Sequence, residues 1–371
     1  MLMKPLVCWQ GGVNVVSSGN RQRLSGRIAM LNSDALPPQG GPLSVATSVA
    51  ASSPLDLEGL IESLSRLYEA SAKEPPRPLM EVDGRVLVGP PLDASSFHPL
   101  KPRFSRRRFL YVDASLKVLF DCGGFKAVEV KAAAVIWRRE EPAKRLPPRK
   151  RLALAARRRE AEEELLRAEL EEAWEGLKLL EEGDYCVLDR PLVTARRLGG
   201  LLDEFAEACR RMGVRLMGVC KSSRLRLSSG EPLMGYLNYL GSRAMPGGGW
   251  FYHPLFQLEG AGLSLIGVPV AVKFSGESPY VFRVDVERTA LSEERLATCL
   301  SDLAGLQDTA TPGLPYPVVG VHEEAKLSRH EVELDRARLL EALKSKGLLE
   351  RFLAGARSMN FKEEELWGGL L

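Results

Sequence analysis

Asp113 and Asp189 each close a short aromatic and aliphatic run, Phe109-Leu110-Tyr111-Val112 and Tyr185-Cys186-Val187-Leu188. Such runs predict buried strands. A carboxylate at the end of a buried strand is costly unless it is paired or bound to a cation. One aspartate of this kind is equally well explained by a turn. Two of them, separated by a glutamate-rich helical segment, point to a metal site. On that segment Leu166, Leu170, Ala173, Leu177 and Leu180 keep helical spacing. Glu169 falls at the edge of this stripe, with Glu172 as the second choice. Asp113, Glu169 and Asp189 would form a three-carboxylate site whose hard oxygen ligands suit Mg²⁺ or Mn²⁺. Sites of this kind hold two ions about 3.5–4 Å apart, which activate water and stabilise the leaving oxygen in phosphodiester cleavage.

Three further residues belong to this reading. His322, one of four histidines, is expected to complete the set as an Mn²⁺-favouring ligand or a proton shuttle; the plainer alternative is a structural polar residue near a helix start. Lys221 ends a strand beside Ser222 and Ser223, where a cation can hold the scissile phosphate, or it is an ordinary strand-end lysine. Tyr316 can orient a water or stack on a base, or pack beside its two prolines. No G-x-x-x-x-G-K-[ST] loop, G-x-S-x-G elbow, H-E-x-x-H pair or Rossmann fingerprint is present in the sequence, which argues against ATP hydrolysis, serine hydrolase, zinc protease and dinucleotide chemistry.

The elements that must position these side chains follow from periodicity. An amphipathic helix is predicted over 55–72 and a short strand over 85–88. Strands at 109–112, 117–122 and 127–137 should form an antiparallel meander, and a basic connector leads to a long helix over about 152–182. Strand 185–188, helix 201–212 and strand 214–220 come next. Three antiparallel strands followed by α/β crossovers is the order of a ribonuclease H-like mixed α/β fold. Residues 224–310 read as an insertion or flank carrying hairpin strands at 267–274 and 280–287, then a helix over 292–304. A helix is expected to start near His322, and another to span 335–353. The predicted organisation is an extension over 1–53 that is disordered or precedes a later start at Met30, a main domain over 54–335 with its core at about 105–225, and a C-terminal helix and tail over 336–371.

The chain has 371 residues and a formal net charge of +3, so its total charge predicts no strong nucleic-acid affinity. Positive charge is clustered, however, at Lys101–Arg108 and between Arg138 and Arg159, which is either a solvated face or a phosphate-binding one. The six cysteines form no CxxC pair, as expected of buried thiols in a reducing compartment. No run is long and apolar enough for a bilayer span, and no signal peptide is read. A cytoplasmic protein is expected.

Several motifs, in order, resemble the NurA nuclease family. They are Tyr111-Val112-Asp113-Ala114-Ser115, the glutamate-bearing helix, Leu188-Asp189-Arg190-Pro191-Leu192, Gly218-Val219-Cys220-Lys221-Ser222-Ser223, the strand Tyr280–Glu287, and Tyr316-Pro317 through His322-Glu323-Glu324-Ala325. Ala114 and Arg190 stand where the family usually has glycine; Arg190 alters the local turn and the charge around the metal, or contacts DNA phosphate. The resemblance implies a homodimeric, Mn²⁺-dependent nuclease, a 5′-to-3′ exonuclease on single- and double-stranded DNA and a single-strand endonuclease. It also implies work with a HerA-type hexameric translocase in resecting double-strand breaks, and the tail Glu364–Trp367 is a candidate docking segment. Two other classes stay open: a non-catalytic adaptor that loads a translocase on DNA, and an RNA-cleaving enzyme of the same fold.

Overall fold

The computed structural model describes residues 57–73, 75–82, 84–193, 196–257, 266–288, 292–307 and 313–361. The expected extension over 1–53 and the tail Glu364–Trp367 lie outside the described residues. Helix α1 (Leu57–Lys73) crosses the boundary between two compact units, Met1–Ser63 and Leu64–Leu371. Everything below belongs to the second unit.

After α1 come β1 (Pro78–Val82), β2 (Arg85–Val88) and β3 (Phe97–Leu100). The central elements are β4 (Phe109–Asp121), β5 (Lys126–Trp137), β6 (Lys144–Arg145), β7 (Arg149–Ala155), α2 (Arg158–Leu177), β8 (Tyr185–Leu188), α3 (Arg196–Arg211) and β9 (Arg215–Cys220). Then follow β10 (Arg226–Leu227), α4 (Leu233–Ala244), β11 (Gly249–Tyr252), β12 (Gly267–Lys273), β13 (Phe282–Glu287), α5 (Glu293–Ala304), α6 (Tyr316–Ala325), α7 (Arg329–Ser345) and α8 (Leu349–Phe361).

Among the described residues the main sheet has ten strands, in the order β3-β11-β12-β13-β9-β8-β4-β5-β6, with β7 also paired to β5. Its middle is the ribonuclease H-like arrangement: β7, β5 and β4 antiparallel, then β8 and β9 parallel to β4. The antiparallel trio differs from the expected one. The runs 109–112 and 117–122 are a single strand, because β5 pairs with β4 without interruption through Asp113↔Ala133 and Ser115↔Lys131. The third strand is β7, where Arg149-Lys150-Arg151-Leu152-Ala153-Leu154-Ala155 alternates along β5 and the helix starts only at Arg158. The hairpin β12–β13 is built onto the edge of this core through β13 and β9.

Alternation along the strands sorts the side chains into two layers. Phe109, Tyr111, Tyr185, Val187, Met217 and Val219 pack with α5 and α6. Leu110, Val112, Cys186, Leu188 and Leu216 pack with α2 and α3. The sheet is thus covered on both faces, as parallel strands require.

The C-terminal helical region is two helices, α7 and α8, because Gly347 between them adopts a left-handed φ of 68°. Ser328 and Glu331 form a reciprocal capping box at the start of α7, and Glu331 reaches Lys131 of β5 at 3.1 Å. Partial burial pushes the Glu331 carboxyl up, but bonds from Ser328 and Lys131 outweigh it and bring it from 4.5 to about 2. A folded-state value below the unfolded one contributes stability above about pH 4.5 that is lost as pH falls towards 2. Glu331→Gln should therefore cost about 1 kcal/mol near neutrality, and thermal unfolding should show the gap from wild type closing between pH 4.5 and 2.

Candidate metal centre

Asp113 sits where the parallel pairing of β4 with β8 stops and its pairing with β5 continues. Val112 lies opposite Leu188, and the amide of Asp189 donates to the Val112 carbonyl at 3.1 Å. The two aspartates therefore follow equivalent positions on neighbouring strands. Both continue the face that holds Tyr111 and Val187, which is the face covered by α6. From α6, His322 brings its Nδ1 to 2.8 Å from Asp113 Oδ2, and the Ser115 hydroxyl donates to the Ala325 carbonyl at the end of that helix, at 2.5 Å. One ligand atom from each of Asp113, Asp189 and His322 lies within 4.8 Å of the other two.

Lys221, the residue after β9, extends its ammonium to 2.5 Å from Asp189 and 3.5 Å from Asp113. It occupies the position of a cation shared by the two carboxylates. Burial pushes the Asp113 carboxyl up, but the His322 hydrogen bond and the Lys221 charge outweigh it and hold it below the usual range. Burial and the negative charge of Asp113 push Asp189 well above that range, against the pull of Lys221. Two carboxylates at one site thus titrate apart, as neighbouring like charges must.

Glu169 comes from the other layer. It is buried on α2 beside Leu166, Leu170 and Ala173, and its Oε2 accepts from Arg190 Nε at 2.5 Å. Arg190 continues the alternation of Cys186 and Leu188, which explains why it points towards α2. Glu169 Oε1 is buried and has no hydrogen-bond partner. Burial pushes the Glu169 carboxyl up to about 7, with Arg190 opposing and Asp113 assisting. Glu172 is also buried but pairs with Arg149 of β7 at 3.0 Å. Tyr316 begins α6 and is exposed; no hydrogen bond joins it to the acidic cluster among the described residues. The helix begins at Tyr316, six residues before His322, because Pro317 is favourable in a first helical turn.

The Asp189–Leu192 turn is held by residues outside the set expected from sequence. Asp285 on β13 is fully buried, receives two hydrogen bonds from Arg283 at 2.6 and 2.7 Å, and accepts from the Leu192 amide at 2.9 Å. Opposite Asp285, Gly218 lets the chain pass directly over β9: a Cβ there would lie 2.2 Å from the Arg190 carbonyl oxygen. The signal was available, since Arg283, Asp285 and Glu287 alternate with valines along the strand and so share one face.

A sheet in which β7, β5 and β4 run antiparallel and β8 and β9 follow parallel to β4 has the ribonuclease H-like fold. The NurA domain profile matches residues 130–327, more than half of the chain, and the chain belongs to the NurA family. The crystal structure of the NurA nuclease from Sulfolobus solfataricus is similar over 78% of this chain and 95% of that one, with 14% identity and a TM-score of 0.53. A second NurA crystal structure matches at a TM-score of 0.43 with 9% identity, over 67% of this chain and 91% of that one. An endonuclease V from Ciona intestinalis matches at 0.37 with 13% identity, over 74% and 98%. No curated protein sequence matches the chain. Among the described residues no helix is long and apolar enough to cross a membrane.

Proposed function

We propose that this chain is a divalent-metal-dependent nuclease that hydrolyses phosphodiester bonds in DNA. The observation that carries the reading is the convergence of Asp113, Asp189 and His322 within 4.8 Å. Their chemistry fits a divalent ion: two carboxylates and an imidazole suit Mn²⁺, with Mg²⁺ as the alternative. Lys221 already stands in as a cation between the carboxylates, and Glu169 on α2 keeps one buried oxygen, Oε1, unpartnered. An ion bound here would supply an activated water and neutralise charge on the leaving oxygen.

The chain's own groups do the rest. Asp113 and Asp189 provide ligand oxygens, and His322 adds a third donor while its bond orients Asp113. Lys221, partly exposed, is able to swing towards a phosphate once its carboxylates are engaged. Glu169 rather than Glu172 serves the centre, because Glu172 is turned to Arg149. Tyr316, exposed at the start of α6, is available to an incoming nucleotide. The family relationship supports a cytoplasmic enzyme of DNA end resection, with 5′-to-3′ exonuclease and single-strand endonuclease activity, working as a homodimer with a HerA-type translocase. The resemblance also supports a nuclease domain over 54–335, its core at about 105–225, with the C-terminal part following.

Incubating the pure protein with labelled DNA and Mn²⁺, with and without chelator, tests the reading. Chelator-sensitive degradation is expected. Its absence, with the translocase present, would favour the adaptor, and a preference for labelled RNA in the same assay would favour the RNA-cleaving enzyme. Replacing the third donor, His322→Ala, should weaken Mn²⁺ binding at least about tenfold, read by calorimetric titration, with far-UV circular dichroism unchanged.

A further inference from the structure

We propose that Arg190 is a resident cation of this centre, so that each chain holds one divalent ion where three carboxylates would otherwise hold two. The inference rests on the metal reading above and fixes the number of ions, which the sequence puts at two.

Glu169 is buried and Arg190 largely so, their side chains 3% and 16% exposed. A guanidinium keeps its proton at any working pH, so the third carboxylate is permanently neutralised. Arg190 is also fixed at its backbone. Its carbonyl rests on Gly218, and the Leu192 amide just beyond is held by Asp285. Lys221 differs in each respect. Its side chain is 30% exposed, it follows the end of β9, and it carries a compact charge on a flexible stem. Of the two cations, Lys221 is the one an incoming ion displaces and Arg190 the one that stays.

Charge balance then sets the count. Once Lys221 leaves, the three negative charges of Asp113, Glu169 and Asp189 are matched by one divalent ion together with the guanidinium. A second divalent ion would bring two uncompensated positive charges into a partly buried site that already carries Arg190, where like charges repel. Glu169 could offer such an ion only Oε1, because Oε2 already accepts from Arg190. Glu169 is left with Oε1 free to accept from a water rather than to bridge two ions.

The test counts Mn²⁺ bound per full-length chain by electron paramagnetic resonance of the unbound ion. Wild type should bind one, Arg190→Ala two, and Arg190→Lys, which keeps a cation, one. Two ions on wild type, or one on a folded Arg190→Ala, overturns the proposal. Should Arg190→Ala fail to fold, the wild-type and Arg190→Lys counts still decide, since two on either overturns it. Mn²⁺ binding to wild type that Asp113→Ala abolishes preserves the metal reading whatever the count. No binding to any variant removes the metal reading, and this proposal with it.

Discussion

Asp113→Ala should reduce Mn²⁺-dependent cleavage of labelled DNA by more than about 100-fold, beyond what loss of a group supporting a metal ligand costs, while leaving DNA binding in a gel-shift assay largely intact. The residue is where three parts of the proposed centre meet. It accepts from the His322 imidazole, faces Lys221 and lies beside Asp189. Removing its carboxylate takes away a proposed ligand and leaves His322 without its hydrogen-bond partner. The change is local in packing terms. The side chain lies at the boundary of the core, and its strand is held on both sides by the β5 and β8 ladders. A soluble, folded Asp113→Ala protein that still degrades DNA in a chelator-sensitive way would remove the proposed role.

What the sequence reveals of this site depends on how local each signal is. Asp113 and Asp189 stand out because each ends a run whose period and composition declare a strand. Glu169 stands out because a helical stripe has an edge. Each of these needs only a few neighbouring residues. The strand β7 is hidden for the same reason. Leu152 and Leu154 of this edge strand are exposed, and the run Arg149–Ala155 leads into a helix rich in Ala, Arg and Glu, so its weak alternation is absorbed into the helical pattern. The continuity of β4 is masked by Asp113-Ala114-Ser115, which reads as a turn. There Asp113 Oδ1 accepts from the next amide at 2.7 Å, a local bond compatible with an unbroken ladder. The Arg190–Glu169 pair has no local signature at all, because it arises only when two layers meet at the strand ends.

Asp285 is an intermediate case, since its partner Arg283 lies two residues away while its bond to the Leu192 amide forms only across the sheet, and it carries the second large effect. Arg283→Ala should cost about 3–5 kcal/mol of stability in a denaturant titration, because it leaves a fully buried carboxylate with no countercharge. The paired replacement Arg283→Met with Asp285→Leu should cost far less, since exchanging a buried ion pair for apolar side chains of similar volume is often neutral. The two measurements should then part company at the metal centre. Asp285 also fixes the Leu192 amide, and with it the turn that carries Asp189 and Arg190. The double variant lacks that acceptor, so a protein of near-normal stability should bind Mn²⁺ about 10–100-fold more weakly. If affinity stays at the wild-type level, the turn is held by Gly218 and the packing of Leu192 alone, and Asp285 serves stability only. If affinity falls while stability is kept, the ion pair on β13 is retained for the geometry it imposes on Asp189, two strands away across β9.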